Sequence, residues 1–377
     1  MDSPSLSIWQ SLKLKATLLA IPSYVFPRAI LQHCCHKLVK VRCPSQIDLI
    51  RNHVIRWLGS SLDYQQLRVA TQAPKIDSSI LARNSTLLDL KAANSKVQEK
   101  EFNAFWVPHI TDSEYTVLFV HGGGFTSGST AGCARYLIQM ATELCKGGVK
   151  CRVLSIDYDL SPEAQFPAAL SQVSAAYAHA VSLAKPIILV GDSAGGHLCM
   201  SLLRHIHTPH PQIEGIPGAQ IPKLLVLNSP WVDLNNTGAS VRQNQSFDCV
   251  DKSTLDRWSR QYLGSSGKLD TYTDHSNPKN CWKGVLPENT LITAGEFECF
   301  ISDIRQLALT IEKDRYDGLE LLVEPLKCHA WPAVDFAFGT LDNSEIGAGE
   351  SAITAFAMKG LRYQVDWILK HCGQKEL

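Results

Sequence analysis

The chain has 377 residues, and its 45% of hydrophobic residues is enough for a large buried core. Its 36 Lys and Arg balance 36 Asp and Glu, so no net field attracts nucleic acid or charged polymers, and we expect a neutral, apolar small-molecule ligand. The twelve cysteines form no Cys-x-x-Cys pair, which predicts no zinc site and favours a reducing compartment.

The first hundred residues have helical rather than strand patterning. Apolar residues at helical spacing predict one helix around 9–19 and another around 47–58. We interpret residues 1–100 as a helical cap or collar over a pocket. The apolar stretch 16–26 is too short to span a bilayer, and no cleavage site is recognisable. We therefore expect a cytoplasmic protein, with membrane contact through residues 8–30, for example at the endoplasmic reticulum, as the alternative.

From residue 101 onward, strands alternate with helices of ten or more residues, and this alternation predicts a mostly parallel sheet with helices on both faces. Ligands of such sheets bind beyond the carboxyl ends of the strands. The polar stretch 232–285 interrupts the alternation and is predicted to be a lid inserted in a domain of residues 101–377. The predicted strands are 102–107, 115–120, 151–156, 187–190, 223–227, 290–294 and 319–323; the predicted helices are 133–145, 168–184, 194–207, 304–313 and 353–370, with a surface loop at 339–350.

A Gly-x-Ser-x-Gly sequence joins the predicted strand 187–190 to the following helix. Gly191 and Gly195 lie two residues to either side of Ser193, and a sharp turn needs them because side chains there would clash with the returning backbone. The turn lifts the serine hydroxyl above the sheet, near a helix N-terminus that favours developing negative charge. The sequence thus predicts a nucleophilic serine, with a Gly-rich packing turn as the alternative.

Three glycines, 122–124, follow His121 at the end of the predicted strand 115–120. Glycines in this place let backbone N–H groups approach a ligand closely, as the oxyanion of a tetrahedral intermediate requires. A flexible loop and a phosphate cradle are the alternatives. A phosphate loop has Lys followed by Ser or Thr after its glycines, whereas Phe125 and Thr126 follow here.

A serine nucleophile needs a histidine base, which in folds with this turn lies near the end of the chain, after the acid. His329 follows the predicted strand 319–323 by a short loop, and we expect it to be the base. His197, one turn past the serine, is expected to pack or to cap. His205, His207 and His210 fall at a helix end and in a loop, where we expect solvated side chains.

The base in turn needs a carboxylate to orient it. Glu298 lies just past the predicted strand 290–294, where its side chain could reach His329. Glu296 and Asp303 are alternatives, and spacing alone does not separate the three.

Taken together, these motifs resemble the hormone-sensitive-lipase branch of the α/β-hydrolases, which includes arylacetamide deacetylases, fungal steryl acetyl hydrolases and bacterial carboxylesterases. His-Gly-Gly-Gly at 121–124 and Gly-Asp-Ser-Ala-Gly-Gly at 191–196 match its two signatures. The stretch 155–170 resembles its Asp-Tyr-x-Leu-x-Pro-Glu block, and 227–233 resembles its Ser-Pro-Trp strand end. The match runs in order over roughly 102–370.

The resemblance implies an α/β-hydrolase fold with a helical cap. It also implies a serine hydrolase that cleaves a carboxylic ester without a metal ion or an organic cofactor. The roles transfer to six positions: nucleophile Ser193, base His329, acid Glu298, and the oxyanion-hole amides of Gly123, Gly124 and Ala194. The chain departs from the family pattern at Asp159, commonly Arg, and at Ser302, commonly an acid; we expect both positions to be structural.

The implied substrate is a short acyl or acetyl ester of a lipophilic alcohol such as a sterol or secondary metabolite. The aromatic residues Trp9, Trp57, Trp231 and Trp258 suit a lipophilic group. An acyltransferase or a lactone-processing enzyme of a biosynthetic pathway with the same triad is the alternative. A non-catalytic ligand receptor on this scaffold, as in the gibberellin receptors, is disfavoured because such receptors lose the histidine that His329 represents here.

Overall fold

The central element is an eight-stranded sheet, seen in a computed structural model that describes residues 5–71, 96–98, 101–107, 110, 112–216, 218, 220–314, 317–339 and 352–373. Strands β3 to β8 pair in parallel, whereas β2 pairs antiparallel with β1 and β4. The spatial order is β1-β2-β4-β3-β5-β6-β7-β8. The bounds are β1 (Lys96–Gln98), β2 (Asn103–Trp106), β3 (Tyr115–Val120), β4 (Cys151–Asp157), β5 (Ile187–Asp192), β6 (Leu224–Asn228), β7 (Asn289–Gly295) and β8 (Leu319–Glu324).

Helices cover both faces of this sheet, so the predicted mostly parallel, two-sided architecture is confirmed. Alternate residues of a strand point to opposite faces: Leu118 and Leu189 pack in one apolar cluster, Val117 and Ile188 in the other. The helices are α1 (Ile8–Ala20), α2 (Phe26–Leu38), α3 (Gln46–Ser61), α4 (Tyr64–Ala70), α5 (Thr130–Lys146), α6 (Ala168–Ser182), α7 (Ala194–His207), α8 (Ala239–Asn244), α9 (Lys252–Leu263), α10 (Ile301–Lys313), α11 (Trp331–Gly339) and α12 (Ala352–His371).

Several predicted bounds are wrong at the helix ends. Helix α5 begins at Thr130 rather than 133, because Ser129 caps it by accepting a hydrogen bond from the Gly132 N–H. Helix α11, directly after His329, was not predicted as a helix. Of the predicted surface loop 339–350, residues 340–350 lie outside the described residues.

Among its described residues, the N-terminal region has four helices where two were expected, and it also contributes the edge strand β1. A π-helical segment, Ile21–Val25, joins α1 to α2, so the helix runs on from Ile8 to Leu38. Pro22 and Pro27 lie within this continuous helix, and each lacks the N–H that would donate a hydrogen bond inside it. The domain boundary near residue 100 stays a prediction.

The predicted lid, 232–285, contains the short helix α8 and the longer α9. Helix α3 is hydrogen-bonded to it: the Asn52 side chain donates to the Phe247 carbonyl at 3.0 Å, and Arg257 donates to the carbonyls of Gly59 and Ser60. Helix α3 is therefore attached by hydrogen bonds to residues 232–285, a segment that we call the lid.

A cluster of four buried charges joins α3 to the loop that carries His329. Arg51 contacts Asp48 at 2.7 Å and Asp335 at 2.9 Å, and Lys327 contacts the same two carboxylates at 3.4 and 2.8 Å. All four side chains are at most 8% exposed. Removal of one member of such a cluster leaves a buried charge uncompensated.

We expect the substitution Arg51→Met to lower the free energy of unfolding by about 3–5 kcal/mol, because Asp48 and Asp335 would share a single cation. Urea unfolding followed by circular dichroism measures the loss. The matched control is Lys146→Met, which removes the half-exposed partner of Glu143. Glu143 still accepts a hydrogen bond from Gln139, so this variant should cost less than about 1 kcal/mol. Equal small losses in both variants would show that the buried cluster does not tie α3 to the His329 loop.

Candidate active site

The carboxyl ends of five neighbouring parallel strands, β3, β5, β6, β7 and β8, meet at one edge of the sheet. The segments that leave this edge carry His121, Ser193, Ser229, Glu298 and His329. Residues far apart in sequence are thus brought to one place because parallel strands end on the same side.

Ser193 occupies a strained turn between β5 and α7, with φ 54° and ψ −115°. A Cβ atom on Gly195 would lie 1.9 Å from the Val120 carbonyl oxygen, and one on Gly191 would lie 2.6 Å from the Gly195 oxygen. Both glycines are therefore required by close backbone packing, as predicted. The turn is held by the Ser193 N–H, which donates to the Asn228 carbonyl at 2.8 Å.

The imidazole of His329 lies beside this serine, with Nε2 2.8 Å from the Ser193 Oγ. The contact needs Nε2 as acceptor and the proton on Nδ1. Burial lowers the pKa of His329, although the nearby Asp248 carboxylate opposes the shift. A neutral imidazole at neutral pH is the form that can accept the serine proton.

Glu298 is fully buried, and one of its carboxylate oxygens is well bound. Its Oε2 accepts hydrogen bonds from the Ser229 hydroxyl at 2.6 Å and from the Gly295 N–H at 2.8 Å. The Ser229 Oγ also accepts from the Ala330 N–H at 2.9 Å. A serine hydroxyl thus links Glu298 to the residue that follows His329.

The second oxygen of Glu298 and the Nδ1 of His329 are buried atoms that have no hydrogen-bond partner among the described residues. The expected carboxylate–imidazole hydrogen bond is therefore absent from this structure, although an acceptor and a donor are both left free. Burial raises the pKa of Glu298 to about 8, against the lowering effect of the bonds from Gly295 and Ser229. At neutral pH this carboxyl group is mostly protonated.

The two competing acids serve other contacts. Glu296 forms a surface ion pair with Arg42 and accepts a hydrogen bond from the Leu326 N–H. Asp303 lies on α10, close to Gly238, and burial raises its pKa to about 7. Neither makes a described contact with His329.

The glycine loop after β3 has the backbone geometry that close approach requires. Gly123 and Gly124 have φ of 110° and 62°, and no hydrogen bond of the described residues uses their N–H groups. The Ala194 N–H lies at the start of α7, where helix amides have no intrahelical acceptor. A Cβ on Gly124 would lie 2.3 Å from the Trp258 ring, so a lid residue covers this loop.

The block 155–170 supports that glycine loop. The Tyr158 hydroxyl donates to the His121 carbonyl at 2.9 Å, and the two rings stack at 4.3 Å. The Ser161 N–H donates to the Phe125 carbonyl at 2.8 Å. The departure at Asp159 is exposed and pairs with Gln172, which fits a structural position.

Ser302 also has a structural contact, since its hydroxyl pairs with that of Ser240 at 2.7 Å. The four tryptophans singled out above have different surroundings. Trp231 is buried in the core, Trp9 is exposed, Trp57 lines a cavity away from Ser193, and Trp258 covers the glycine loop.

Two expectations about the remaining histidines were wrong. His205 and His210 are buried rather than solvated, because the loop after α7 folds back and the His210 N–H donates to the His205 Nδ1 at 2.9 Å. His197 packs as expected, with Nδ1 2.9 Å from the Trp231 carbonyl.

Asp248 is a residue of this site that sequence reasoning missed. Its Oδ1 accepts the N–H of His329 at 2.9 Å and of Cys249 at 2.8 Å, and its Oδ2 accepts the N–H of Cys299 at 2.6 Å. One buried carboxylate in the lid thus binds both the loop that carries His329 and the turn that carries Glu298. Its position 81 residues before His329 provides no sequence signal.

A cavity of about 670 Å³ lies away from this site, between α2, α3 and the lid, and neither Ser193 nor His329 lines it. Within the described residues, no group of three or more His, Cys, Asp or Glu side chains is placed to hold a metal ion. The site brings together a serine hydroxyl, an imidazole and backbone amides that have no hydrogen-bond acceptor among the described residues.

Comparison with known proteins agrees with this geometry. Residues 117–333, more than half of the chain, match the model of a protein family with the alpha/beta hydrolase fold. The chain belongs to that family. A hormone-sensitive lipase from the metagenome superposes with a TM-score of 0.59 at 21% identity, covering 88% of this chain and 99% of its own. An esterase of Pyrobaculum calidifontis superposes with a TM-score of 0.61 at 18% identity, covering 86% and 100%. At such identities the likeness shows the fold.

Curated relatives carry related names. An acetyl-hydrolase of Streptomyces hygroscopicus is 29% identical over 54% of this chain and 64% of its own. Human hormone-sensitive lipase is 30% identical over 40% of this chain and 15% of its own. The chain thus spans less than two thirds of the length of these relatives. The resemblance to hormone-sensitive-lipase relatives is confirmed.

We expect Asp248→Asn to lower kcat by on the order of 100-fold with little change in KM, because an amide cannot accept all three N–H groups and His329 shifts. Loss of the negative charge should also lower the pKa of both His329 and Glu298, which moves the acid limb of the kcat/KM profile to lower pH. The measurement is the pH dependence of p-nitrophenyl acetate hydrolysis.

The matched control is Asp233→Asn, since Asp233 is a buried lid carboxylate that accepts the N–H groups of Asn235 and Thr237. It should lower stability without moving the acid limb. An unshifted limb in Asp248→Asn would show that Asp248 has no electrostatic effect on the group that titrates in this limb.

Proposed function

We propose that the chain is a serine hydrolase that cleaves a carboxylic ester. The observation that carries the proposal is the 2.8 Å contact of His329 Nε2 with Ser193 Oγ on a strained turn. The names of the relatives, hormone-sensitive lipase, acetyl-hydrolase and esterase, support the same class of reaction.

In the proposed reaction, His329 takes the proton of Ser193 as the hydroxyl attacks the ester carbonyl. The N–H groups of Gly123, Gly124 and Ala194 bind the oxyanion of the tetrahedral intermediate. His329 then protonates the departing alcohol, and water releases the acyl group by the same route.

Glu298 is the proposed acid. Its unpartnered Oε1 and the unpartnered Nδ1 of His329 form a complementary pair once the carboxyl group is ionised and the imidazole is charged. Catalytic hydrogen bonds are often long in ligand-free structures and shorten in the complex. Ser229, hydrogen-bonded to both Glu298 and the Ala330 N–H, fixes the turn that carries Glu298 relative to the loop that carries His329.

The proposed substrate is a short acyl or acetyl ester of a lipophilic alcohol. The aromatic rings of Phe125, Tyr262 and Trp258 around the glycine loop support an apolar pocket. A cytoplasmic location with membrane contact through the N-terminal helix is part of the proposal. Helix Ile8–Leu38 is long and apolar enough to cross a membrane, by length and composition only.

We expect Ser193→Ala to reduce hydrolysis of p-nitrophenyl acetate by about 10⁴- to 10⁶-fold, because the nucleophile is lost. Rates with the acetate, butyrate and decanoate esters should fall as the acyl chain lengthens. A fluorophosphonate should label the wild-type chain and leave Ser193→Ala unlabelled. A folded wild type that shows neither turnover nor labelling would contradict the hydrolase and favour a ligand receptor.

The acid is tested separately. Glu298→Gln should lower kcat by about 10³- to 10⁴-fold, since an amide cannot stabilise the imidazolium. The control Glu296→Gln removes only a surface pair with Arg42 and should stay near the wild-type rate. Comparable losses in the two variants would argue against Glu298 as the acid.

The pH profile follows from the shifted carboxyl group. Because burial raises the pKa of Glu298 to about 8, the required carboxylate forms only as the pH rises through that value. We expect kcat/KM to increase from neutral pH to a plateau in the mildly alkaline range. The increase should vanish in Glu298→Gln, and a wild-type profile that is flat across this range would exclude Glu298 as the titrating group.

A further inference from the structure

We define the N-terminal arm as residues 8–42. Its outer face is apolar, whereas the solvent-exposed face of a helix in a soluble protein is usually polar. Ile8, Trp9 and Leu19 are 80%, 81% and 74% exposed. Twelve of the seventeen large hydrophobic side chains that are exposed in the described part of the chain lie on this arm: Ile8, Trp9, Leu12, Leu18, Leu19, Tyr24, Phe26, Ile30, Leu31, Leu38, Val39 and Val41. An apolar patch of this extent indicates a surface that is covered in use.

The inner face of the arm is attached to the body by the buried Val25 and Ala29 and by hydrogen bonds. The Gln66 side chain donates to the Gln10 carbonyl at 2.7 Å, and the Trp57 indole donates to the Thr17 carbonyl at 3.1 Å. Gln32 donates to the Ser246 carbonyl of the lid at 3.3 Å. An ordinary amphipathic surface helix turns a polar face to the solvent, whereas the exposed face of this arm is rich in apolar side chains.

The charges of the arm identify what covers it. Residues 8–42 contain six Lys and Arg and no Asp or Glu, although the whole chain is neutral. Arg42 pairs with Glu296, but no ion pair among the described residues involves Lys13, Lys15 or Lys37. Exposed apolar side chains interspersed with free cations complement an anionic lipid surface.

The spacing of the cations favours a helix that lies on the bilayer over one that spans it. Only twelve uncharged residues, 16–27, separate Lys15 from Arg28, whereas a span needs about 20. Lys and Arg along an in-plane helix can extend to the head groups while their neighbours contact acyl chains. Crossing the bilayer would also break the hydrogen bonds to α3 and α4.

We propose that residues 8–42 dock the protein in the plane of an anionic membrane surface. Trp9, Leu19 and Leu31 enter the acyl boundary, and Lys13 and Lys15 contact the lipid phosphates. The docking does not depend on the proposed hydrolysis, and it places the edge of the lid, held by Gln32 through Ser246, beside the lipid.

The test is co-sedimentation of the purified full chain with vesicles of phosphatidylcholine, alone or mixed with phosphatidylserine. We expect binding to the mixed vesicles, weakened when salt shortens the Debye length from about 10 Å to about 3 Å. Lys13→Glu combined with Lys15→Glu should lower the partition coefficient more than ~10-fold. Trp9→Ser combined with Leu19→Ser should lower it by on the order of 100-fold.

The matched control is Ile221→Ser combined with Leu309→Ser, because these exposed apolar residues lie outside the arm; its binding should equal that of the wild type. Absence of binding to the mixed vesicles, or equal losses in control and arm variants, would overturn the proposal. So would a dimer in sedimentation velocity that the arm variants dissociate, since a second copy would then cover the arm.

Two further measurements separate the alternatives. An alkaline carbonate wash should release the wild-type chain from the vesicles, and retention would show a spanning helix instead. Hydrolysis of p-nitrophenyl acetate without vesicles should be the same in the arm variants as in the wild type. Failure of docking and failure of the hydrolase therefore give different results.

Discussion

The close packing of β3 against the turn at Ser193 is the constraint on which the site depends. The space between Gly195 and the Val120 carbonyl excludes even a methyl group, so β5 and α7 can meet β3 only through glycine. The same approach places Ser193 next to the glycine loop that leaves β3. The strain of the turn, with φ of 54° at a serine, is compensated by the buried sheet on either side.

Buried carboxylates position the loop that carries His329 next to this turn. Asp248 collects three backbone N–H groups, among them that of His329, and the Arg51 cluster ties the same loop to α3. Burial raises the pKa of Glu298 and lowers that of His329, which favours two neutral groups in the resting state.

The N-terminal arm contacts the lid on one side and is exposed to the surroundings on the other. Its inner face is hydrogen-bonded to α3 and to the lid, whereas its outer face is apolar and basic and does not contact the body. A membrane below the arm would leave the sheet and the site unchanged, because the contacts that hold Ser193 and His329 come from other elements.

The sequence by itself determined the parallel sheet, the turn at Ser193, the glycine loop and the position of His329 after β8, because periodicity and close-packed glycines are local properties of the chain. Only the tertiary structure decided the rest. It brought Asp248 to His329, buried His205 and His210, engaged Glu296 with Arg42, and left the apolar face of the arm outward. These outcomes depend on which surfaces come into contact in the folded chain, and residue spacing along the sequence does not predict those contacts.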